Sequence, residues 1–236
     1  MSRTVVVFGA GTGLGQAVAH RFGREGYRVA LVARNRDRLE KLAAELAGQG
    51  VDAAAFVADL SRTPEVPDLI AQVKRHFGSI DAIEYAPITT EGFVPAASLD
   101  AATMQHYVNL YLLTPIEIVR AVLPDMLDRG DGAILLGQGV SAIHPMANLS
   151  GVGPAMAAAR NYLQALHAEV ADKGVYAGAI HVAGIVLGSA GHTAMTSGTL
   201  AGDLDLSHVP RIEPDEIADA FWDLLTRRDR FERQLP

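Results

Sequence analysis

The sequence predicts an α/β fold in which a doubly wound parallel sheet carries helices on both faces. Two observations predict it. Short apolar runs at 4–8, 28–33, 53–57, 82–85, 133–136 and 176–182 alternate with segments of helical period near 14–24, 36–48, 65–76, 99–128, 152–172 and 214–226. The runs are apolar throughout rather than at every second residue, as strands are when helices cover both faces of their sheet. A chain of 236 residues, 49% hydrophobic, suffices for one such core and leaves little room for another, so residues 1–236 are read as a single domain.

Charge and composition narrow the partners. A formal net charge of -7 argues against general affinity for nucleic acid or an anionic membrane, since both are polyanions. A small-molecule substrate fits better. There is no cysteine, so disulfides, thiolate metal sites and cysteine nucleophiles are excluded. The histidines at 20, 76, 106, 144, 167, 181, 192 and 208 show no metal-ligand spacing, and no metal site is expected. The apolar run after Met1 is too short for a signal peptide or a membrane span, so a cytoplasmic location is the expectation. The stretch 184–211, rich in Gly, Ser and Thr, follows the sixth strand without a period of its own. Loops at the carboxyl ends of strands line the ligand crevice of such folds, so this stretch is either a substrate lid or an ordinary surface loop.

Directly after the first strand, Gly9-Ala10-Gly11-Thr12-Gly13-Leu14-Gly15 opens a helix that continues Gln16-Ala17-Val18-Ala19. Glycines there allow a tight turn and close approach of the backbone to a pyrophosphate, and the helix N-terminus supplies unpaired N–H groups. Strand before, helix after and a second strand at the expected distance make this a Rossmann-type dinucleotide site. The second strand ends Leu31-Val32-Ala33-Arg34. A carboxylate at its end would bind a free ribose and repel a 2'-phosphate, whereas Ala33 followed by a guanidinium suits the phosphate of NADP(H). The alternative is that Arg34, with Arg36 and Arg38, is the solvated start of a helix.

The spacing of Gly9, Gly13 and Gly15 resembles the short-chain dehydrogenase/reductase family. Asp59-Leu60 after the third strand, Leu99 and Met104 with Ala121-Val122-Leu123-Pro124 and Met126, and Pro214-Asp215-Glu216-Ile217-Ala218 near the end extend the resemblance over the chain. The resemblance implies cofactor binding by Gly9, Gly11, Thr12, Gly13, Leu14, Gly15, Arg34, Asp59, Leu60, Ala86, Gly184 and Val186. It also implies a homodimer or homotetramer, packed through the helices at 99–128 and 152–172. Ala155, Ala157, Ala158, Ala159, Ala165 and Ala168 on the second helix allow close approach of backbones, although small residues also suit packing on the sheet.

The family's proton relay of serine, tyrosine and a lysine four residues on is missing. No tyrosine has a lysine at that distance, and the only lysines are Lys41, Lys74 and Lys173. Counting back from Ala168-Glu169 puts Val152 at the tyrosine position, Met156 at the lysine position and Gly139 at the serine position. The family's Asn-Asn-Ala-Gly is replaced by Glu84-Tyr85-Ala86-Pro87. On the central helix the register puts Tyr111, rather than Asn109, at the active-site asparagine. Residues two apart on a helix point about 200° apart, so only one of them can face the site.

The candidates for chemistry are therefore Tyr111, Ser141 and His144, with Tyr85, Val152 and Met156 against the substrate. His144 is either a proton donor or an exposed loop histidine, and Ser141, without an evident base, is either catalytic or a turn residue. Three functions follow: an NADP(H)-dependent reductase with a rebuilt site acting on a small apolar or imine-like substrate, a non-catalytic NADP(H)-binding sensor, and a cofactor-bound non-redox enzyme such as a cyclase or isomerase. An iminium substrate needs no proton donor, and Glu84 or Tyr85 is the expected partner for its charge.

Overall fold

A computed structural model describes residues 2–89, 92–199 and 207–236. Strands β1 (Thr4–Phe8), β2 (Arg28–Ala33), β3 (Ala53–Val57), β4 (Ala82–Tyr85), β5 (Gly132–Gly139) and β6 (Val175–Val182) form one sheet with a late strand, β9 (Glu232–Leu235). The order is β3-β2-β1-β4-β5-β6-β9, and every neighbouring pair is parallel. The connection reverses direction between β1 and β4, and the ligand crevice of an open α/β sheet opens at such a point, beyond the carboxyl ends of the strands. A second, two-stranded parallel pair joins β7 (Ile185–Val186) to β8 (Arg211–Ile212).

Alternation along the strands builds the two faces. Val5, Val7, Leu31 and Leu135 point to the side covered by α1 (Leu14–Arg24), α2 (Arg36–Gly48) and, from the end of the chain, α8 (Pro214–Arg227), where Phe22, Leu39, Leu46 and Phe221 are buried. Val6, Phe8, Val32, Ile83 and Ile134 point to the other side, under α3 (Val66–Phe77), α5 (Thr114–Arg129) and α6 (Val152–Val170), where Ile70, Val73, Ile118, Met126 and Leu163 are buried. Except at the edge strand β3, whose residues are partly exposed, both faces are covered, which is why the strands read as continuous apolar runs.

The long helix expected at 99–128 is one rod with a defect. It comprises α4 (Ala101–Val108), a π turn over Asn109–Leu113, and α5. A π turn inserts one residue into the ladder and frequently marks a functional site. The polar edge strand β9 was not expected. Among the described residues it pairs with β6 alone, and Glu232, Arg233 and Gln234 give it no apolar signature.

The stretch 184–211 is partly regular, because β7 and β8 tie its ends together and α7 (Ala190–Thr196) lies within it. Residues 200–206 of that stretch lie outside the described residues. No helix among the described residues is long and apolar enough to cross a membrane.

Candidate active site

A cleft of about 480 Å³ opens beyond the carboxyl ends of the central strands. Its floor is made by Ala86 and Pro87 after β4, by Gly137, Gln138 and Gly139 at the end of β5, and by Gly184, Ile185 and Val186 after β6. One wall is the first two turns of α6, with Val152 and Met156 one turn apart. The π turn supplies Tyr111, and α7 supplies Gly191, His192 and Met195. Phe93, Met146 and Leu149 add to a lining that is mostly apolar. Among the described lining residues no side chain is a carboxylate, a lysine or an arginine.

Of the glycine loop only Leu14 lines this cleft, but the loop lies directly beside it. Gly13 has φ +84°, and a Cβ there would stand 2.7 Å from the Cβ of Ser189, which caps α7 through its own hydroxyl. Only glycine permits that backbone and that approach. Among the described residues no protein acceptor pairs with the amides of Thr12, Gly13, Leu14 or Gly15. Four unpaired N–H groups at the start of α1 are what an anionic pyrophosphate needs.

Arg34 stands at the carboxyl end of β2, one residue before the helix cap. Asn35, not Arg34, begins α2 by accepting a hydrogen bond from the Arg38 amide at 3.0 Å. Arg36 pairs with Glu40, whereas Arg34 is exposed and has no ion-pair partner among the described residues. Arg34 is therefore a strand-end cation rather than part of the helix face. Asp59 lies within its field. Burial works against the Asp59 charge, but hydrogen bonds from the Ser61 hydroxyl and amide, with Arg34 and Arg62, hold its carboxyl below the usual range. Leu60, by contrast, turns its side chain into the core, and its carbonyl accepts from the Thr114 hydroxyl. These residues fit a dinucleotide carrying an extra phosphate.

The polar side chains of the cleft are few. Tyr111 is buried, and its oxygen accepts a hydrogen bond from the Thr89 amide at 2.9 Å. Burial raises its hydroxyl well above the usual tyrosine range, so it keeps its proton at neutral pH. Asn109 faces the other way, toward Gln105. Ser141 is buried beside the cleft, and a Cβ at Gly139 would lie 3.7 Å from its hydroxyl oxygen. Gln138 donates to the carbonyl of Met156 at 2.9 Å.

Three expected residues lie elsewhere. His144 is exposed on the loop after β5 and lies outside the cleft lining; the amides of Ile143 and His144 close a short turn on the Val140 carbonyl. Tyr85 points to the opposite face of the sheet, packs against Phe8 and donates its hydroxyl proton to the Leu110 carbonyl. It stands beside the core, not the substrate. Glu84 is no better placed to steady a cation. It lies in register with Val7 and Leu135 in the middle of the sheet, fully buried, with both oxygens unpartnered and its pKa pushed up by burial to about 8.

Sequence reasoning missed His192, whose imidazole lies on the cleft side of α7. Its Nδ1 accepts from the Gly188 amide at 3.3 Å. The Ser-x-x-His spacing of an N-cap and the third helical residue was the available signal. Among the described residues no group of three or more His, Asp or Glu side chains is placed to hold a metal ion.

Comparison with known proteins places this architecture. A family model described as short chain dehydrogenase matches residues 3–201. The dehydrogenase/reductase SDR family protein 7-like of Drosophila melanogaster is 28% identical over 96% of this chain. The chain spans 71% of that protein and a little over half the length of two other curated relatives. An alcohol dehydrogenase from Thermococcus sibiricus, solved with 5-hydroxy-NADP, is 26% identical with a TM-score of 0.81, covering 99% of this chain and 95% of that one. L-sorbose reductase from Gluconobacter frateurii, solved with NADPH and L-sorbose, shares the fold at a TM-score of 0.87 and 23% identity, with the same coverage. By the extent of the family match and the strand order that goes with it, the chain belongs to the short-chain dehydrogenase family.

Proposed function

We propose that this family member is an NADP(H)-dependent oxidoreductase that reduces a small apolar substrate without a tyrosine–lysine relay. The observation that carries the reading is the row of four unpaired amides at the start of α1, with the free guanidinium of Arg34 at the end of the neighbouring strand. The two solved neighbours named above carry NADP-type ligands, which supports the same choice of cofactor. When bound, the reduced dinucleotide supplies a hydride. The protein supplies an apolar cleft that excludes water, with Val152 and Met156 on the wall where the relay would stand. Tyr111 holds its proton too tightly to act as a strong acid, and serves as a hydrogen-bond donor instead.

Fluorescence titration with NADPH and NADH, followed by NADPH consumption against acetophenone, 2-methyl-1-pyrroline and 2-cyclohexenone, tests this. Tighter binding of NADPH and turnover of at least one acceptor are expected. Equal affinities would overturn the cofactor assignment. Tight NADPH binding with no turnover of any acceptor would favour the second reading, a sensor or a non-redox enzyme, which the lack of a strong proton donor among the described lining residues also favours. Assembly as a homodimer or homotetramer through α4–α5 and α6, in the cytoplasm, completes the proposal. On α6, Ala158, Ala165 and Ala168 are exposed, whereas Ala155 and Ala159 are already used against the core.

A further inference from the structure

Resting on the reading of the cleft as a reductase site, we infer that its substrate is a neutral, conjugated carbonyl compound rather than a cation, and that Tyr111 and His192 are the groups that donate to it. Hydrogen-bond accounting carries the inference. Tyrosine and neutral histidine are each both donor and acceptor, so either can ordinarily face a ligand of either kind. Here a backbone amide occupies the accepting side of each. The Thr89 N–H takes the oxygen of Tyr111, and the Gly188 N–H takes Nδ1 of His192. What remains for the ligand on these two side chains is the Tyr111 O–H and the His192 Nε2–H, neither of which has an acceptor among the described residues; beside them the buried amide oxygen of Gln138 is the one orphaned acceptor found among the described lining residues. Both side chains line the cleft, and they are the only described lining residues with an acid–base side chain.

The backbone explains why His192 holds this orientation. Ser189 caps α7, accepting from the His192 amide at 2.9 Å and donating to the Val186 carbonyl at 2.7 Å. The helix is seated on both sides: Ser189 packs on Gly13, and a Cβ at Gly191 would stand 2.4 Å from the Cδ1 of Ile88. The imidazole is therefore carried on a close-packed element with its donor tautomer set by Gly188.

Among the described lining residues the acid–base side chains offer two open donors and no carboxylate, which favours an acceptor. An iminium ion would lose its hydration there without gaining a counter-charge, which is unfavourable. Among neutral acceptors, conjugation decides. Hydride addition to the β-carbon of an enone would form a C–H bond at the expense of one in the reduced dinucleotide, which is thereby oxidised, and would move the π electrons onto oxygen as an enolate; the α-carbon would then take a proton from water, leaving hydroxide. Addition to a simple ketone leaves an alkoxide, which is far more basic and needs an acid at the moment of transfer. Two hydrogen bonds from weak acids suit the enolate, as in sites that stabilise an oxyanion by donors alone.

The test has two arms on the full chain. In the first, p-nitrophenol serves as a probe of the donor face without any cofactor: it resembles an enolate when ionised, and its absorbance reports its ionisation. Bound to the unmodified protein it is expected to ionise at lower pH than when free, and Tyr111→Phe and His192→Ala are each expected to diminish that shift. In the second, NADPH consumption is compared for 2-cyclohexenone, acetophenone and 2-methyl-1-pyrroline. The enone is expected to be fastest, with Tyr111→Phe losing on the order of 10²-fold. His192→Gln, which keeps an acceptor for Gly188 and a donor for the ligand, is expected to retain more activity than His192→Glu, which keeps only the acceptor. A role for His192 confined to holding α7 predicts equal rates for the two. Equal rates, binding of p-nitrophenol as the neutral phenol or not at all, or faster turnover of the imine would each overturn the inference. Failure to bind NADPH would overturn the reductase reading, while the probe arm would still decide the donor face.

Discussion

Glu84 is the least comfortable residue of the fold, and its cost is measurable. Its side chain lies in the middle of the sheet, buried, with no hydrogen-bond partner for either oxygen among the described residues. Burial pushes its pKa from 4.5 to about 8, so the folded protein holds a proton there that the unfolded chain releases. The folded state then binds more protons than the unfolded one between these limits, and stability falls as pH rises. The contribution is complete below pH 4.5, declines through the window, and is lost above about 8. At a little over 1 kcal/mol per pH unit, the loss between pH 5 and pH 7 is about 3 kcal/mol. Glu84→Gln keeps the shape and removes the titration. Unfolding by urea from pH 5 to pH 9 should therefore show the variant gaining on the unmodified protein through the window, then running parallel to it. A difference between the two proteins that stays constant over that range would refute the reasoning and imply a buried partner for the carboxyl.

Other outcomes follow from neighbouring features. Arg34→Ala should narrow the preference for NADPH over NADH by about tenfold or more, since a charge-assisted contact contributes about 1.5–3 kcal/mol; paired titrations read it directly. Gly13→Ala should weaken NADPH binding and lower the thermal midpoint together, because φ is +84° and the new Cβ meets Ser189. Glu232→Gln should destabilise by about 1 kcal/mol, since the carboxylate is partly exposed. It pairs with Arg160 through two hydrogen bonds of 2.7 and 2.6 Å and accepts from His181, a histidine that burial holds below its usual pKa. The Arg160 hydrogen bonds hold Glu232 below its ordinary range, so this stabilisation is present above pH 4.5 and should vanish in unfolding curves as the pH falls further. Light scattering at micromolar concentration should find a species larger than 25 kDa, and Ala165→Glu on the exposed face of α6 should shift it toward that mass.

The framework was legible because local sequence and burial agree in it. Strands covered on both sides must be apolar at every position, and the glycine loop needs glycine where φ is positive or backbones touch, so both leave marks that survive without coordinates. Strand β9 left none, since a half-paired edge tolerates Glu232, Arg233 and Gln234. The π turn was invisible for a different reason. Asn109–Leu113 continues the helical period of its neighbours, and the extra residue shows only as a change in which side chain faces inward.

The candidate site divides along the same line. Tyr111, Val152 and Met156 were found by register on helices, where spacing translates into direction, and all three line the cleft. Tyr85 rests on its place in Glu84-Tyr85-Ala86-Pro87 and His144 on its loop, and in such segments one residue decides the outcome. Successive side chains of a strand point to opposite faces, so Tyr85 and Glu84 both follow the sheet into its two cores, and neither reaches the ligand side. His192 escaped notice because its importance rests on a tertiary fact, the docking of α7 between the glycine loop and Ile88. A loop histidine becomes informative only once its ring has an assigned partner. In this protein the partner is a backbone amide, which turns the question from whether His192 is basic to which proton it is left holding, and that proton points the substrate's chemistry toward an acceptor.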